Sequence, residues 1–198
     1  PDPHNTYYDE VDLSGYLKQG KNEIAILVWY FGKEGFSHKS SGTAGLLFEM
    51  SASGKRVVSD GTWWCRIHPA YGNTEAPHPN FRLPESNIRF DARVDIKGWQ
   101  TVGSPETMGF HKAVTVAKKG EAPYNELVLR PIPQWKDFGV KGIDKTEIKV
   151  GEKADTIAAY FPYNLQMTPV LDITDPMGGN LVSIYTDNTY AAGDINLR

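Results

Sequence analysis

Flat aromatic side chains are the residues of this chain best suited to do chemistry. Tyr71, His78 and Phe81 share one loop, and that loop follows directly on Trp63 and Trp64. Sugar rings present apolar C–H faces that stack on aromatic rings, while polar groups at the ring edge read the hydroxyls, so this grouping suits a carbohydrate site. Adjacent residues on a strand point to opposite faces, so Trp63 and Trp64 cannot both line one surface. Trp64, Tyr71 and His78 are therefore the expected substrate-binding residues. The structural alternative buries both tryptophans, one in the core and one at a domain interface. Trp29, Trp99 and Trp135 read as packing residues.

Other chemistries lack the residues they need. The sequence has no phosphate-cradling glycine loop, no Gly-x-Ser-x-Gly elbow, no His-Glu-x-x-His helix and no Cys-x-x-Cys pair. His68 and His78 share a loop, but no second pair of ligands accompanies them, so no metal is expected, and no cofactor either. Asp9 and Glu10 are neighbours on an extended segment and point to opposite sides, which suits turn capping and a solvated face better than an acid and base pair. No catalytic residue is assigned. The single cysteine, Cys65, cannot form an internal disulfide and reads as a small core hydrophobe. A formal charge of −3 leaves no basic surplus for a nucleic-acid backbone. The longest apolar run, residues 24–31, is far short of the roughly 20 residues that cross a bilayer.

The elements that would carry these residues are strands. Gly 19 and Pro 13 in 198 residues favour a turn-rich domain over a helix bundle. Asp12 is placed to cap a short turn. Residues 24–31 are apolar at both odd and even positions, the pattern of a central strand covered on both faces. Residues 46–50 and 56–59 flank Ser51-Ala52-Ser53-Gly54-Lys55 and read as a β-hairpin with Gly54 at positive φ. Further strands are expected at 62–67, 87–93 and 111–117. Four prolines between 68 and 85 make that segment an ordered loop or extended rim. Residues 127–133 read as an extended tail, and a boundary falls near residue 131. Beyond it, strands are expected at 146–150, 156–160, 166–173 and 181–185, with a tight turn at 175–180 and no closing element after them. The opening Pro1-Asp2-Pro3-His4 has neither initiator Met nor signal pattern, so the chain is expected to start inside a longer product.

Several segments resemble a known family. Tyr7-Tyr8-Asp9-Glu10-Val11-Asp12-Leu13, then Gly20-Lys21-Asn22 and Ala25-Ile26-Leu27-Val28-Trp29-Tyr30-Phe31-Gly32, resemble the N-terminal β-sandwich of bacterial α-L-rhamnosidases of glycoside hydrolase family 78. Phe90-Asp91-Ala92-Arg93 with Gly98-Trp99, Leu129-Arg130-Pro131-Ile132-Pro133, and Pro162-Tyr163-Asn164-Leu165-Gln166-Met167-Thr168-Pro169 with Thr186-Asp187-Asn188 follow in the same order. The resemblance implies a multidomain enzyme whose β-sandwiches precede an (α/α)6 barrel that holds the catalytic glutamates. None of those carboxylates maps onto a residue here.

The resulting expectation is an all-β chain. An incomplete, jelly-roll-like antiparallel β-sandwich (residues 1–130) precedes a second small β-sandwich module (131–198). Its expected role is that of a non-catalytic accessory segment of an α-L-rhamnosidase, supporting the missing catalytic barrel and holding a rhamnose-containing glycan. The alternative is a carbohydrate-binding or adhesion module with no enzyme attached.

Overall fold

The structure, a computed structural model, describes residues 5–35, 39–76, 87–101, 103, 105–134, 136–163, 168–186 and 190–197. It is all-β. The strands are β1 (Asn5–Tyr8), β2 (Glu49–Ala52), β3 (Lys55–Val58), β4 (Trp64–Cys65), β5 (Tyr71–Asn73), β6 (Ile88–Phe90), β7 (His111–Lys112), β8 (Glu126–Leu129), β9 (Lys145–Lys149), β10 (Thr156–Tyr160), β11 (Asn180–Thr186) and β12 (Tyr190–Leu197). Two short 3-10 turns, Ala92–Val94 and Pro105–Met108, interrupt them. No helix of the described residues is long and apolar enough to cross a membrane. The chain divides into two compact units, Pro1–Pro131 with Val182–Ile195, and Ile132–Leu181 with Asn196–Arg198.

Strands pair two by two. β2 and β3 form the expected hairpin, with a tighter turn: Ala52 faces Lys55, leaving only Ser53 and Gly54 in the loop. Both take positive φ, 49° and 75°, which is the type I′ geometry whose twist matches that of the flanking strands. An Arg56 fork on the Glu49 carboxylate, at 2.9 and 2.8 Å, braces the hairpin across its face. β4 pairs with β7, and β5 with β6, both antiparallel. The tail after residue 125 is itself a strand. β8 runs parallel to β1, a departure from the antiparallel expectation, and Arg130 locks the pair by donating its backbone N–H to the Tyr8 carbonyl at 3.0 Å. Its guanidinium grips the Asp9 carboxylate at 2.6 and 3.0 Å. Asp12 Oδ1 accepts the Ser14 N–H at 2.8 Å, and the Tyr16 N–H closes the turn on the Leu13 carbonyl at 2.9 Å.

In the second unit β9 and β10 are antiparallel, with Ile148 opposite Ile157. The turn before β11 is organised by Asp175. Its carboxylate accepts the backbone N–H groups of Met177, Gly178 and Asn180 at 3.3, 3.0 and 3.3 Å, and the Asn180 side-chain amide at 2.9 Å. Burial pushes the Asp175 carboxyl up, but the Asn180 and backbone amide bonds together outweigh it and leave the group below its ordinary value. β11 pairs with β12, so a closing strand does follow residue 186. Gly193 and Asp194 are poor strand formers, and the ladder supplied by β11 overrides that local preference.

Several expected strands are shorter or unpaired. Residues 24–31 make no ladder. Residues 25–30 are exposed, with Leu27 at 51% and Trp29 at 54%. A segment apolar on both faces becomes a central strand only where neighbours present free ladder groups on each side. Here β2 pairs only with β3 and β4 only with β7, and the outer edges these strands keep do not take up residues 24–31. Trp29 is therefore not a buried packing residue. It stacks on Phe31, two positions along the same face of the chain, with centroids 4.7 Å apart. Strand 62–67 shrinks to Trp64–Cys65 and strand 111–117 to His111–Lys112. Cys65 is exposed, which corrects its reading as a core hydrophobe: the pleat turns it away from Trp64, and nothing packs over it closely enough to bury it. Residues 168–173 make no ladder either, while 166, 167 and Trp135 lie outside the described residues.

Among the described residues Ala70, 2% exposed, is the only buried hydrophobic side chain. Leu27, Val28, Leu47, Trp63 and Val116 instead border an apolar hollow of about 1740 Å³ within the first unit. Open apolar faces of this size favour association. Purified chain is therefore expected to bind a hydrophobic dye and to gain sedimentation mass with concentration; a dye-silent, concentration-independent monomer would contradict this. Gly54→Val, which places a β-branched side chain at φ 75°, is expected to cost about 1–2 kcal/mol locally and to accelerate amide exchange in β2 and β3.

Candidate functional site

The candidate site is built on the β5–β6 ladder. Tyr71 lies directly opposite Phe90 in this antiparallel pair, so the two rings meet on one face, with centroids 4.9 Å apart and planes tilted by 53°. The Asp91 N–H extends the pairing by bonding the Ala70 carbonyl at 2.9 Å. His68 meets Tyr71 edge-on at 4.9 Å, and Trp99 stands edge-on to His68 at 6.2 Å. The result is a row of four rings. Tyr71 at 44% and Phe90 at 48% present open faces, whereas the His68 side chain is only 10% exposed.

Each nitrogen of His68 has a neighbour. Nδ1 accepts the Ala70 N–H at 3.3 Å, which leaves the proton of the neutral ring on Nε2. Nε2 lies 3.3 Å from Asp95 Oδ1. That is ion-pair range for a protonated ring, without the alignment of a hydrogen bond.

Asp95 is positioned by a cap. Asp91 sits in extended backbone before the Ala92–Val94 turn, and its Oδ1 accepts the Arg93 N–H at 3.1 Å. The Arg93 guanidinium folds back on the same carboxylate at 2.8 and 2.5 Å. The Arg93 side chain, then its backbone N–H, hold the Asp91 carboxyl well below the usual carboxylate range. The turn ends as the Asp95 N–H reaches the Ala92 carbonyl at 3.5 Å.

Beside the ring row lies an open cleft of about 460 Å³, walled by Pro69, Val94, Ile96 and Met108, with Asp95 and Arg66 as its charged residues. Arg66 Nη1 donates to the Met108 carbonyl. Its guanidinium rests on Gly109, whose φ is 73°; a Cβ there would fall 3.1 Å from Arg66 Nη1. Glycine thus satisfies both the backbone conformation and the close approach.

Of the sequence-expected residues, Tyr71 occupies the centre of this row. Trp64 stands apart: one face of its ring is covered by its cross-strand partner Lys112, whose Nζ is 3.8 Å from the centroid. Among the described residues it makes no ring contact with the row. His78 lies outside the described residues. Trp63 faces the other side of the strand from Trp64, donating its indole N–H to the Val58 carbonyl at 2.8 Å and packing on Phe48 at 5.2 Å. His68, Phe90, Asp95, Trp99 and Arg66 were not expected as site residues. The Asp-x-Arg spacing at 91–93 carries the cap signal that places Asp95, but nothing local to Arg66 announces its partner 42 residues away. Among the described residues no three His, Cys, Asp or Glu side chains are grouped to hold a metal ion. The chain matches no family model, no curated protein and no solved structure.

Because the Asp91 pKa is depressed on folding, its stabilising effect is present above the unfolded value of about 3.9 and is lost only as pH falls through the lower folded value. Carboxyl NMR of the chain is expected to show the Asp91 midpoint below those of freely exposed aspartates, and Arg93→Gln to bring it back up. An unshifted midpoint would show that the cap does not form in solution.

Proposed function

We propose that this chain is a non-catalytic, all-β accessory segment of an α-L-rhamnosidase-like glycoside hydrolase, which supports the catalytic domain and holds rhamnose-containing glycan on the ring row at Tyr71. The observation that carries the glycan reading is the pair of half-exposed rings, Tyr71 and Phe90, backed by His68 and Trp99. Such a surface stacks on the C–H face of a sugar, and a polar rim beside it reads hydroxyls. The enzyme-family part of the reading rests on the four ordered sequence segments that resemble α-L-rhamnosidases.

The accessory role is supported by the chemistry of the rim. Hydrolysis of a glycosidic bond by acid and base takes two carboxyl groups flanking the bond, and among the described residues Asp95 is the one carboxylate lining the cleft. His68 does not substitute for a second group, since Nδ1 is engaged by the Ala70 N–H and Nε2 faces Asp95.

Stacking on one aromatic ring is worth roughly 0.5–1.5 kcal/mol, so Tyr71→Ala is expected to weaken glycan binding about three- to tenfold by calorimetry while the circular dichroism stays unchanged. Unchanged affinity would remove Tyr71 from the site. Purified chain is expected to release no product from an aryl α-L-rhamnoside; turnover would make the segment itself an enzyme.

A further inference from the structure

The cleft next to the ring row holds two opposite charges in a lining that mixes apolar side chains with Thr107 and backbone. Arg66 is fixed at one position by the Met108 carbonyl and by the space that Gly109 leaves for it. Its remaining guanidinium N–H groups have no protein partner among the described residues. Asp95 is held by the capped turn, with Oδ1 toward His68 and a side chain 32% exposed. Pro69, Val94, Ile96 and Met108 supply the apolar part of the same lining.

From this arrangement we infer that the cleft is a monosaccharide subsite for a neutral sugar ring, with Arg66 donating to one hydroxyl oxygen and Asp95 accepting from another hydroxyl. The inference deepens the glycan-binding reading above and rests on it. Three features select this ligand class. A hydroxyl is both donor and acceptor, so a donor-only guanidinium and an acceptor-only carboxylate can each bond a sugar hydroxyl in full. The apolar part of the lining fits the C–H face or a methyl substituent of the ring. An acidic sugar is disfavoured because the carboxylate that Arg66 would attract must enter the cleft that Asp95 already occupies with like charge. The cleft opens widely to solvent, so a single pyranose has access to it.

The test is titration of the 15N-labelled chain with methyl α-L-rhamnopyranoside and, separately, with methyl glucuronide. The expected result is saturable shifts for the rhamnoside, centred on the amides of residues 66–70, 94–96 and 108–109, and at least tenfold weaker binding of the glucuronide. Arg66→Gln and Asp95→Asn are each expected to weaken rhamnoside binding at least tenfold while retaining the parent spectrum elsewhere. Gly109→Ala, which displaces the guanidinium without removing it, is expected to do so less severely. Glucuronide binding as tight as or tighter than rhamnoside binding would overturn the inference. That arm uses the unaltered chain, so it decides even if a variant does not fold. If Tyr71→Ala weakens rhamnoside binding while the folded Arg66 and Asp95 variants bind normally, the subsite is refuted and the ring-row reading stands. If the unaltered chain binds no glycoside, both fall.

Discussion

One backbone hydrogen bond organises the candidate site: the Asp91 N–H on the Ala70 carbonyl, 2.9 Å. It continues the β5–β6 ladder by one step and thereby fixes where β6 ends. From that point the same residue turns its side chain to a second task, accepting the Arg93 N–H and starting the 3-10 turn. The acceptor, Ala70, is the only buried hydrophobic residue among those described, and its N–H holds His68 Nδ1. Backbone groups of a single pair of residues thus align the ring of His68 and the carboxylate of Asp95. Loss of that register would move Tyr71 off Phe90 and Asp95 off His68 together, because a one-residue slip reverses the face of every side chain in the ladder.

Elsewhere in the chain, order comes from local polar geometry more than from burial. The β2–β3 hairpin has its I′ turn and its Arg56–Glu49 fork, the β1–β8 pair has Arg130 on Asp9, and the turn before β11 has the Asp175 carboxylate ringed by amides. Exposed ion pairs of this kind contribute little to stability. Their geometric value is larger: a bidentate fork has one preferred orientation, so it selects a register even where it adds little free energy. Paired charges and turn types therefore specify which strands meet, while the apolar faces of those strands remain open to solvent.

This division explains what the sequence disclosed. Features written within a few residues were legible: the Ser53-Gly54 turn, the Asp12 cap, the opposed faces of Trp63 and Trp64 and the all-β class. The ring row around Tyr71 was not, since Phe90, His68 and Trp99 form it, while the expected His78 and Phe81 lie outside the described residues. Features that depend on which distant strand supplies a ladder were not. Residues 24–31 have ideal central-strand composition, yet composition does not decide which strand edge takes up a segment, and no described strand pairs with this one. Cys65 has the composition of a core position, but exposure is decided by the layer that faces it. Trp64 was placed at the site by its closeness to the loop in sequence; its cross-strand partner Lys112, 48 positions later, takes its ring face instead. Arg66 and Asp95 were missed for the same reason, since their convergence on one cleft is a product of the ladder and the capped turn.

The chemistry of the rim follows from how its polar groups are already engaged. A general base needs a free lone pair within reach of the substrate proton; His68 Nδ1 is already engaged by the Ala70 N–H, and Nε2 faces Asp95 without a hydrogen bond. The ring acts as a brace between Tyr71 and Asp95. Asp95 in turn keeps an oxygen for the cleft, opposite an arginine held in place by a carbonyl and a glycine. Groups pinned in this way are preorganised, so a polar ligand that enters the cleft meets a fixed donor and a fixed acceptor and costs them little freedom.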